Sequence, residues 1–547
     1  MKPRSTHYDA VIVGGGHNGL VAGFYLAAAG RRVLVVEQRA QAGGLCAPVE
    51  FFPGYRGTIT NTPSALEPRI FEDMQLEHFG VTFERPDPTM VFPLADGRSF
   101  KGWRDRKRTE ADLHALAPKD VDAYFGVIEF FNDFARKLGV SVFDDPPSLA
   151  ELAASMRTPD DEAAFAEVFF GSIQDFLDRR LSSPHLKALL ASLSMSAGNV
   201  APSTPGSPIG LLRRPLSLAS GTTAADDPRR HMVRGSTGLP RGGMGTIAEA
   251  MRGAAEARGV EICLETRVER ILTAGERATG VVLSSGDEVT AQTVLSNINP
   301  KTTLLSLLDN AALIPTGLAD RLRDLRMAGG AFKLVLALDG LPVHRSATSD
   351  AQARQLAACQ YRYSPTVEYL EEAYDDYKYG RPSRRPKLLG LTPSVVDPSL
   401  APPGRHLMSV NVWYAPYRLA CGSWDDETKD RFAANCIDTI EEFIPNIKDI
   451  IVDRATFSPV DFEREYGLVE GHQLHGDMTP LGMFGNRPTP GLARYRTPVK
   501  GLYLCGSGVW PGGTVTGIPG HNAAARVLRD TSGAQDEVSA PDVPSAG

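Results

Sequence analysis

Gly14, Gly16 and Gly19 stand in G-x-G-x-x-G spacing, and Glu37 follows 18 residues after the last of them. If a strand enters this turn and a helix leaves it, each glycine has a task. The first lets the chain turn sharply, the second lets backbone approach a pyrophosphate, and the third lets the helix pack on the strand. The helix N-terminus then offers unpaired N–H groups and a positive dipole end to phosphates. A carboxylate at Glu37 would bind ribose hydroxyls and repel a 2′-phosphate, which leaves NAD and FAD as ligands. A second polar group lies far along the chain: VEGHQLHGDM, Val469 to Met478, brings Glu470, His472, His475 and Asp477 together. Its H-x-x-H lacks the helix and the further ligands of a zinc site, so no metal is expected. A hydrogen-bonded turn accounts for it as well as proton transfer does.

The elements that must position these residues are readable around them. Tyr8 to Val13 is an apolar strand, Asn18 to Ala29 a helix rich in Ala and Leu, Gly30 its stop, and Val33 to Val36 a buried second strand. The Gly43-Gly44 pair and the Gly/Thr-rich stretch through Asn61 form a loop on the ligand side. Helices are expected over Asp120–Leu138, Glu162–Leu181 and Pro184–Met195. Phe125, Ile128, Phe131 and Phe134 recur at steps of three, as on one helix face. Gly198–Asp227, rich in Pro, Ser, Gly and Thr, reads as a loop. Gly242, Gly243 and Gly245 open a helix that ends at Gly259, and four strand-like stretches follow, through Asn297. No strand precedes those glycines and no acid closes the unit, so it is not a second nucleotide site. Strands are expected at Ala331–Leu338, His406–Trp413 and Leu502–Cys505, and an amphipathic helix at Glu427–Ile444. Tyr369–Arg385 reads as a solvated loop or flap. Arg104–Arg108 is a basic cluster best read as solvated surface, with contact to acidic lipid as the minority reading.

Size and composition bound the rest. A chain of 547 residues exceeds one core, so two or more domains are expected. A net charge of -7 gives no reason to expect nucleic acid. Six scattered cysteines, with no C-x-x-C or C-x-x-x-x-C pair, exclude a redox-active disulfide and a zinc ribbon. They suit a reducing cytoplasm. There is no signal-peptide pattern and no apolar run of the roughly 18 residues needed to span a bilayer, so a cytoplasmic location is expected, with peripheral membrane contact left open.

GGGHNGL, VVEQR, the following GG and the C-terminal GLYLCGSGVWPGGTVTGIPGHNAAARVL together resemble the phytoene desaturase superfamily of flavin-dependent oxidoreductases. The likeness is greatest to its phytoene-dehydrogenase-like branch, which shares its architecture with flavin amine oxidases. His17-Asn18 inside the glycine turn marks that branch. The resemblance implies an α/β fold: a Rossmann-like FAD-binding domain built from discontinuous segments, plus a mixed α+β substrate domain with a helical part. Its segments would be 1–99, 234–298 and 496–531 for FAD, 100–233 (helical) and 299–495 for substrate, and a disordered tail, 532–547. It implies FAD rather than NAD. The cofactor would be held by Gly14, Gly16, His17, Asn18, Gly19, Glu37, Gly43, Gly44, Val268 (by its backbone, at the adenine), Gly506, Gly513 and the Thr514–Thr516 loop. His475 and Asp477 would lie near the flavin, to orient substrate or move a proton. The position near Gly506, often an acid in related sequences, carries none here.

This resemblance implies hydride transfer to flavin N5. The negative charge left at N1 and O2 would be stabilised by the N–H groups of Thr514, Val515 and Thr516 at a helix start. The phenylalanine face would serve partly as wall of a long apolar pocket. An apolar or mixed small molecule would be desaturated, with oxygen or a quinone as acceptor. A flavin amine oxidase using oxygen is the alternative. A prenyl-lipid carrier of the same architecture is the third reading, against which the intact FAD segments speak.

Overall fold

In a computed structural model the described residues are 2–60, 66–221, 230–231, 238–327 and 329–532. The end of the loop through Asn61, part of the Gly198–Asp227 stretch and nearly all of the expected disordered tail lie outside them.

The first sheet draws its strands from three distant parts of the chain. Its parallel core runs Glu261–Cys263, Val33–Val36, His7–Val13, Glu288–Ser296 and Leu502–Leu504, and Val268–Ala274 with Arg277–Leu283 adds an antiparallel edge. Val33–Val36 is a continuous apolar run because a parallel strand is covered on both faces. The helices His17–Ala28, Gly245–Ala257 and Ile518–Thr531 provide that cover. The first and last of them touch closely: a Cβ on Gly520 would fall on the Asn18 carbonyl.

The second sheet runs Ile451–Phe457, Ala331–Leu338, His406–Trp413, Leu388–Leu391, Gln360–Tyr363, Met90–Pro93 and Ser99–Gly102. Its pairings are antiparallel except that between Gln360–Tyr363 and Met90–Pro93. Residues 90–102 thus belong to this sheet, so the expected segment boundary at 99/100 falls inside one of its hairpins. Alternation gives the sheet two faces. Phe332, Leu334, Leu336, Met408, Val410, Val412, Tyr361 and Leu388 pack with Phe432, Cys436, Ile437 and Ile440 of the amphipathic helix Asp426–Glu441. The opposite face carries Lys333, Ser409, Asn411, Trp413, Gln360 and Arg362, with Lys387 at the entry to its strand.

Several expectations are corrected locally. Glu162–Leu181 is two helices, Pro159–Phe169 and Ile173–Asp178, because Ser172 caps a new start with its hydroxyl. Within Gly198–Asp227, Arg213–Ala219 is helical. Tyr369–Arg385 is not a solvated loop: Val367–Lys378 is a helix that buries Tyr369, Leu370, Ala373, Asp376 and Tyr377. Phe125, Ile128, Phe131 and Phe134 do share a buried face, but they pack into the main core, with Phe131 against Phe176 and Phe134 against Phe169. The basic cluster is a surface of ion pairs, Arg106 with Glu110 and Glu129 and Arg108 with Asp87. No helix among the described residues is long and apolar enough to cross a membrane.

Candidate functional site

The C-terminal ends of the parallel strands open onto a cavity of about 580 Å³. This is where an open α/β sheet binds its ligand. One wall belongs to the first sheet. Gly14, at φ 95°, makes the turn after His7–Val13, and its N–H bonds the Val36 carbonyl at 2.8 Å. A Cβ on Gly16 would approach Asn297 Nδ2 to 2.9 Å, and one on Gly19 would collide with the Gly14 carbonyl. The first and third glycines therefore turn the chain and seat the helix as their spacing predicts, and Gly16 lies on the cavity wall. Asn297 ends Glu288–Ser296 and donates from Nδ2 to the Gly14 oxygen at 3.1 Å, which locks two chain segments together at the turn.

Glu37 is buried on the cavity wall and accepts from the N–H groups of Gly15 (2.8 Å) and Arg39 (2.9 Å). Burial raises its pKa, and these two donors oppose the shift. The Glu37 carbonyl accepts from Thr266 N–H, which brings Val268 to the same wall. Arg39 stacks over Tyr466, its guanidinium 4.2 Å from the ring centroid, and both line this end.

The C-terminal loop and the histidine turn form the middle of the cavity. Thr514 and Val515 line it, and among the described residues their N–H groups donate to no protein acceptor. The Thr516 N–H is committed to the Thr514 carbonyl at 3.0 Å, so the expected trio of donors is a pair. His17 and His475 line the same space, each half-buried, with one ring nitrogen (Nε2 and Nδ1 respectively) that is shut from solvent and has no partner among the described residues. Desolvation lowers His17 to about 4 and His475 to about 3, and Arg487 and His472 lower His475 further. Both rings are neutral near pH 7.

Asp477 is different. Its Oδ1 accepts from His472 Nε2 (3.1 Å) and from the Asn199 N–H (3.0 Å), and Arg326 lies 3.7 Å from Oδ2. It does not line the cavity; its carboxylate holds the turn together. His472 is the hinge of that turn, because its Nδ1 accepts the N–H groups of Leu474 and Gly476. The sequence reading missed Arg487. This buried guanidinium donates to the carbonyls of Leu474, Gly476, Gly482 and Ser507, and so ties the histidine turn to the C-terminal loop.

Of the residues predicted to hold cofactor or act on substrate, Gly14, Gly16, His17, Glu37, Gly44, Val268, Thr514, Val515 and His475 meet at this one cavity. Asn18, Gly19, Gly43, Gly506, Gly513, Thr516 and Asp477 stand behind it. Asn18 reaches Ser507 at 3.5 Å. Gly43, at φ 118°, bonds the Gly15 carbonyl, and a Cβ there would press on Ala248. Gly506 packs on the Asn297 backbone and Gly513 on Leu474. Cys505 is buried beside the sheet away from the cavity, and none of the six cysteines is in a disulfide. No group of metal-binding side chains occurs among the described residues.

The far wall is the second sheet with Ser196, Gly198 and Asn199. It presents Gln360, Arg362, Asn411 and Trp413. The signal was present in AFKLVLAL, HLMSVNVW and QYRY, whose alternation puts polar residues on one face. It carries meaning only once that face is known to be buried.

An FAD fits what these walls offer. Backbone at Gly14 and Gly16 lines the cavity where a pyrophosphate would lie, a carboxylate waits at ribose distance along the chain, and the N–H groups of Thr514 and Val515 on the same wall are uncommitted among the described residues. The fold and site thus define a two-sheet flavoenzyme whose dinucleotide cradle is assembled from three segments. The flavin-containing amine oxidoreductase family model matches residues 19–528, and the chain belongs to that family. It is similar to pyridine nucleotide-disulfide oxidoreductase domain-containing protein 2 of Rattus norvegicus, 32% identical over 97% of this chain and 94% of that one. A limonene dehydrogenase polypeptide of Castellaniella defragrans is 26% identical over 95% of this chain and 94% of its own. Among solved structures, putrescine oxidase with bound putrescine shares the fold, at TM-score 0.61 and 14% identity over 96% of this chain and 99% of that one. The protein is an FAD-dependent oxidoreductase with a small-molecule substrate.

Proposed function

We propose that the protein dehydrogenates a small molecule of mixed polarity, in the manner of the desaturase-like branch, removing hydride from one C–H bond and a proton from the adjacent carbon to leave a C=C bond. The observation that carries this reading is the two-walled cavity. One wall would hold nucleotide through backbone, and the other presents side chains that would grip a polar group of the substrate. Bound FAD supplies the hydride acceptor. The chain's own contributions are definite. The Thr514 and Val515 N–H groups, uncommitted among the described residues, would stabilise developing negative charge, an effect worth about 2.7–4 kcal/mol per donor where one has been removed. His475 is held neutral by burial and lines the cavity, where its ring would orient the substrate and relay the leaving proton rather than store it. The phenylalanine face of Val121–Leu138 packs in the core and away from the cavity, so a wholly apolar polyene is disfavoured.

A second reading, oxidation of an amine with oxygen as acceptor, is favoured by the family's own description. An anaerobic titration of the loaded protein against polyenes, mixed-polarity alkenes and amines, followed by flavin bleaching, tests the first reading. Bleaching by amines alone, with hydrogen peroxide formed in air, would replace it with the second.

A further inference from the structure

Which chemical group the far wall grips can be read from strand register. Lys333 pairs with Asn411, Asn411 with Leu389, and Leu389 with Arg362. These four residues form one row across four antiparallel strands, on the face turned from the helix Asp426–Glu441, with neighbours about 4.8 Å apart. Gln360 is two residues from Arg362, Trp413 two from Asn411, and Lys387 two from Leu389, so all three share that face. Three basic side chains therefore stand together, each 0–1% exposed, and burial pushes the Lys333 amine well below its ordinary range.

Their roles are graded by depth. Arg362, Gln360 and Asn411 line the cavity. Lys333 lies behind them and donates from Nζ to Asn411 Oδ1 at 3.0 Å. With its oxygen so engaged, the Asn411 amide has its Nδ2 donor left for the cavity. Lys387 sits over the Trp413 ring, 4.5 Å from its centroid. Arg362 is steadied by Nη1 donation to Ser196 Oγ at 3.2 Å. The carboxylates among the described lining residues are Glu37 and Glu463, and both are engaged by other donors: Glu37 by Gly15 and Arg39, Glu463 by Tyr417 and the Glu470 N–H.

The buried Arg362 guanidinium makes such a wall favourable for an anion and unfavourable for an ammonium. Arginine presents a planar fork that matches a carboxylate with two parallel bonds. We infer that the substrate of this site carries a carboxylate, gripped by Arg362 with the Asn411 and Gln360 amides while Lys333 positions Asn411. The inference rests on the cavity being the substrate site, and it names the substrate class: an organic acid with an apolar body.

Calorimetric titration of the purified full chain with benzoate and with its neutral isostere benzamide tests it without requiring turnover. Benzoate should bind at least tenfold more tightly than benzamide. Arg362→Gln should remove at least tenfold of the benzoate affinity and leave benzamide unchanged, and Arg362→Lys should recover part of the loss. If Arg362→Gln does not fold, Asn411→Ser is the second variant, with a smaller loss in the same direction. Equal binding of the two probes, binding of neither, or benzoate affinity indifferent to both variants would overturn the inference. A chain that prefers benzoate yet shows no flavin bleaching with any substrate class would keep it and discard the dehydrogenase reading. A chain bleached by alkenes or amines but indifferent to probe charge would do the reverse.

Discussion

The two walls of the cavity are built from different materials. The first-sheet wall is largely backbone: a glycine turn, two free N–H groups and the carbonyl pairings that hold Asn297 and Thr266 in place. The second-sheet wall is side chain: an arginine, two amides and an indole, with two lysines behind. Backbone recognition needs residues small enough to stay out of the way, and that leaves glycines at fixed intervals. Side-chain recognition needs only that strands lie in a given register, and it leaves a faint alternation. Function divides in the same way. The backbone wall suits a ligand common to a whole family, and the side-chain wall suits a substrate particular to this chain.

The joint between the walls should be the most sensitive point. Arg487→Met would strand the Leu474, Gly476, Gly482 and Ser507 carbonyls in a dry interior, at about 1–3 kcal/mol for each left unpaired. Thermal denaturation should show a loss of several degrees or more together with lost flavin. A variant that keeps both would mean that the walls are held together elsewhere.

On the backbone wall, Glu37→Arg should weaken FAD binding by about 10- to 100-fold. It removes the acceptor of two buried N–H groups, bonds worth about 1.5–3 kcal/mol when one partner is charged. Equilibrium dialysis of FAD measures this, and unchanged affinity would detach Glu37 from the cradle.

Acid should act on both sides of the cavity. His17, His475 and, behind the second sheet, His344 are lowered to about 4, 3 and 4 by burial. Depressed histidines hold fewer protons folded than unfolded. Their contribution is complete above about pH 6.5 and is lost as pH falls toward 3–4, by about 1.4 kcal/mol per pH unit for each. Urea denaturation across this range should steepen accordingly. His475→Gln should flatten the slope by one proton, and an unchanged slope would mean that the ring is solvated.

The smallest expected effect separates the two residues of the histidine turn. Asp477→Asn should lower stability by about 1–3 kcal/mol, because it weakens the bonds from His472 and Asn199, and should leave most turnover in the surviving fold. His475→Gln should lower kcat with little change in stability at neutral pH. The reverse pattern, followed by steady-state kinetics and melting curves side by side, would move the reactive group to Asp477.

Much of the fold was legible for a local reason. Tyr8–Glu37 and Leu502–Arg529 contain their own strand, turn and helix signals, and those elements form where expected. The histidine turn was legible as a polar cluster, but its division of labour was not. His475 and Asp477 are two residues apart, and only the partners supplied by Asn199, Arg326 and Arg487 place one at the cavity and the other behind it. The Val121–Leu138 phenylalanines looked the same from sequence whether they faced a core or a pocket, since both are apolar. Val367–Lys378 read as surface because its acids and tyrosines are polar in composition, although one side of the helix is buried.

From sequence alone came a dinucleotide site, because a dinucleotide demands small residues at set distances along a single strand–turn–helix; FAD and a cradle of three segments came with the family resemblance. The tertiary structure alone decided what the cavity admits. Arg362, Asn411, Lys333 and Lys387 come from four separate strands or their ends, and nothing in their spacing along the chain encodes that hydrogen-bond register aligns them on a single dry face.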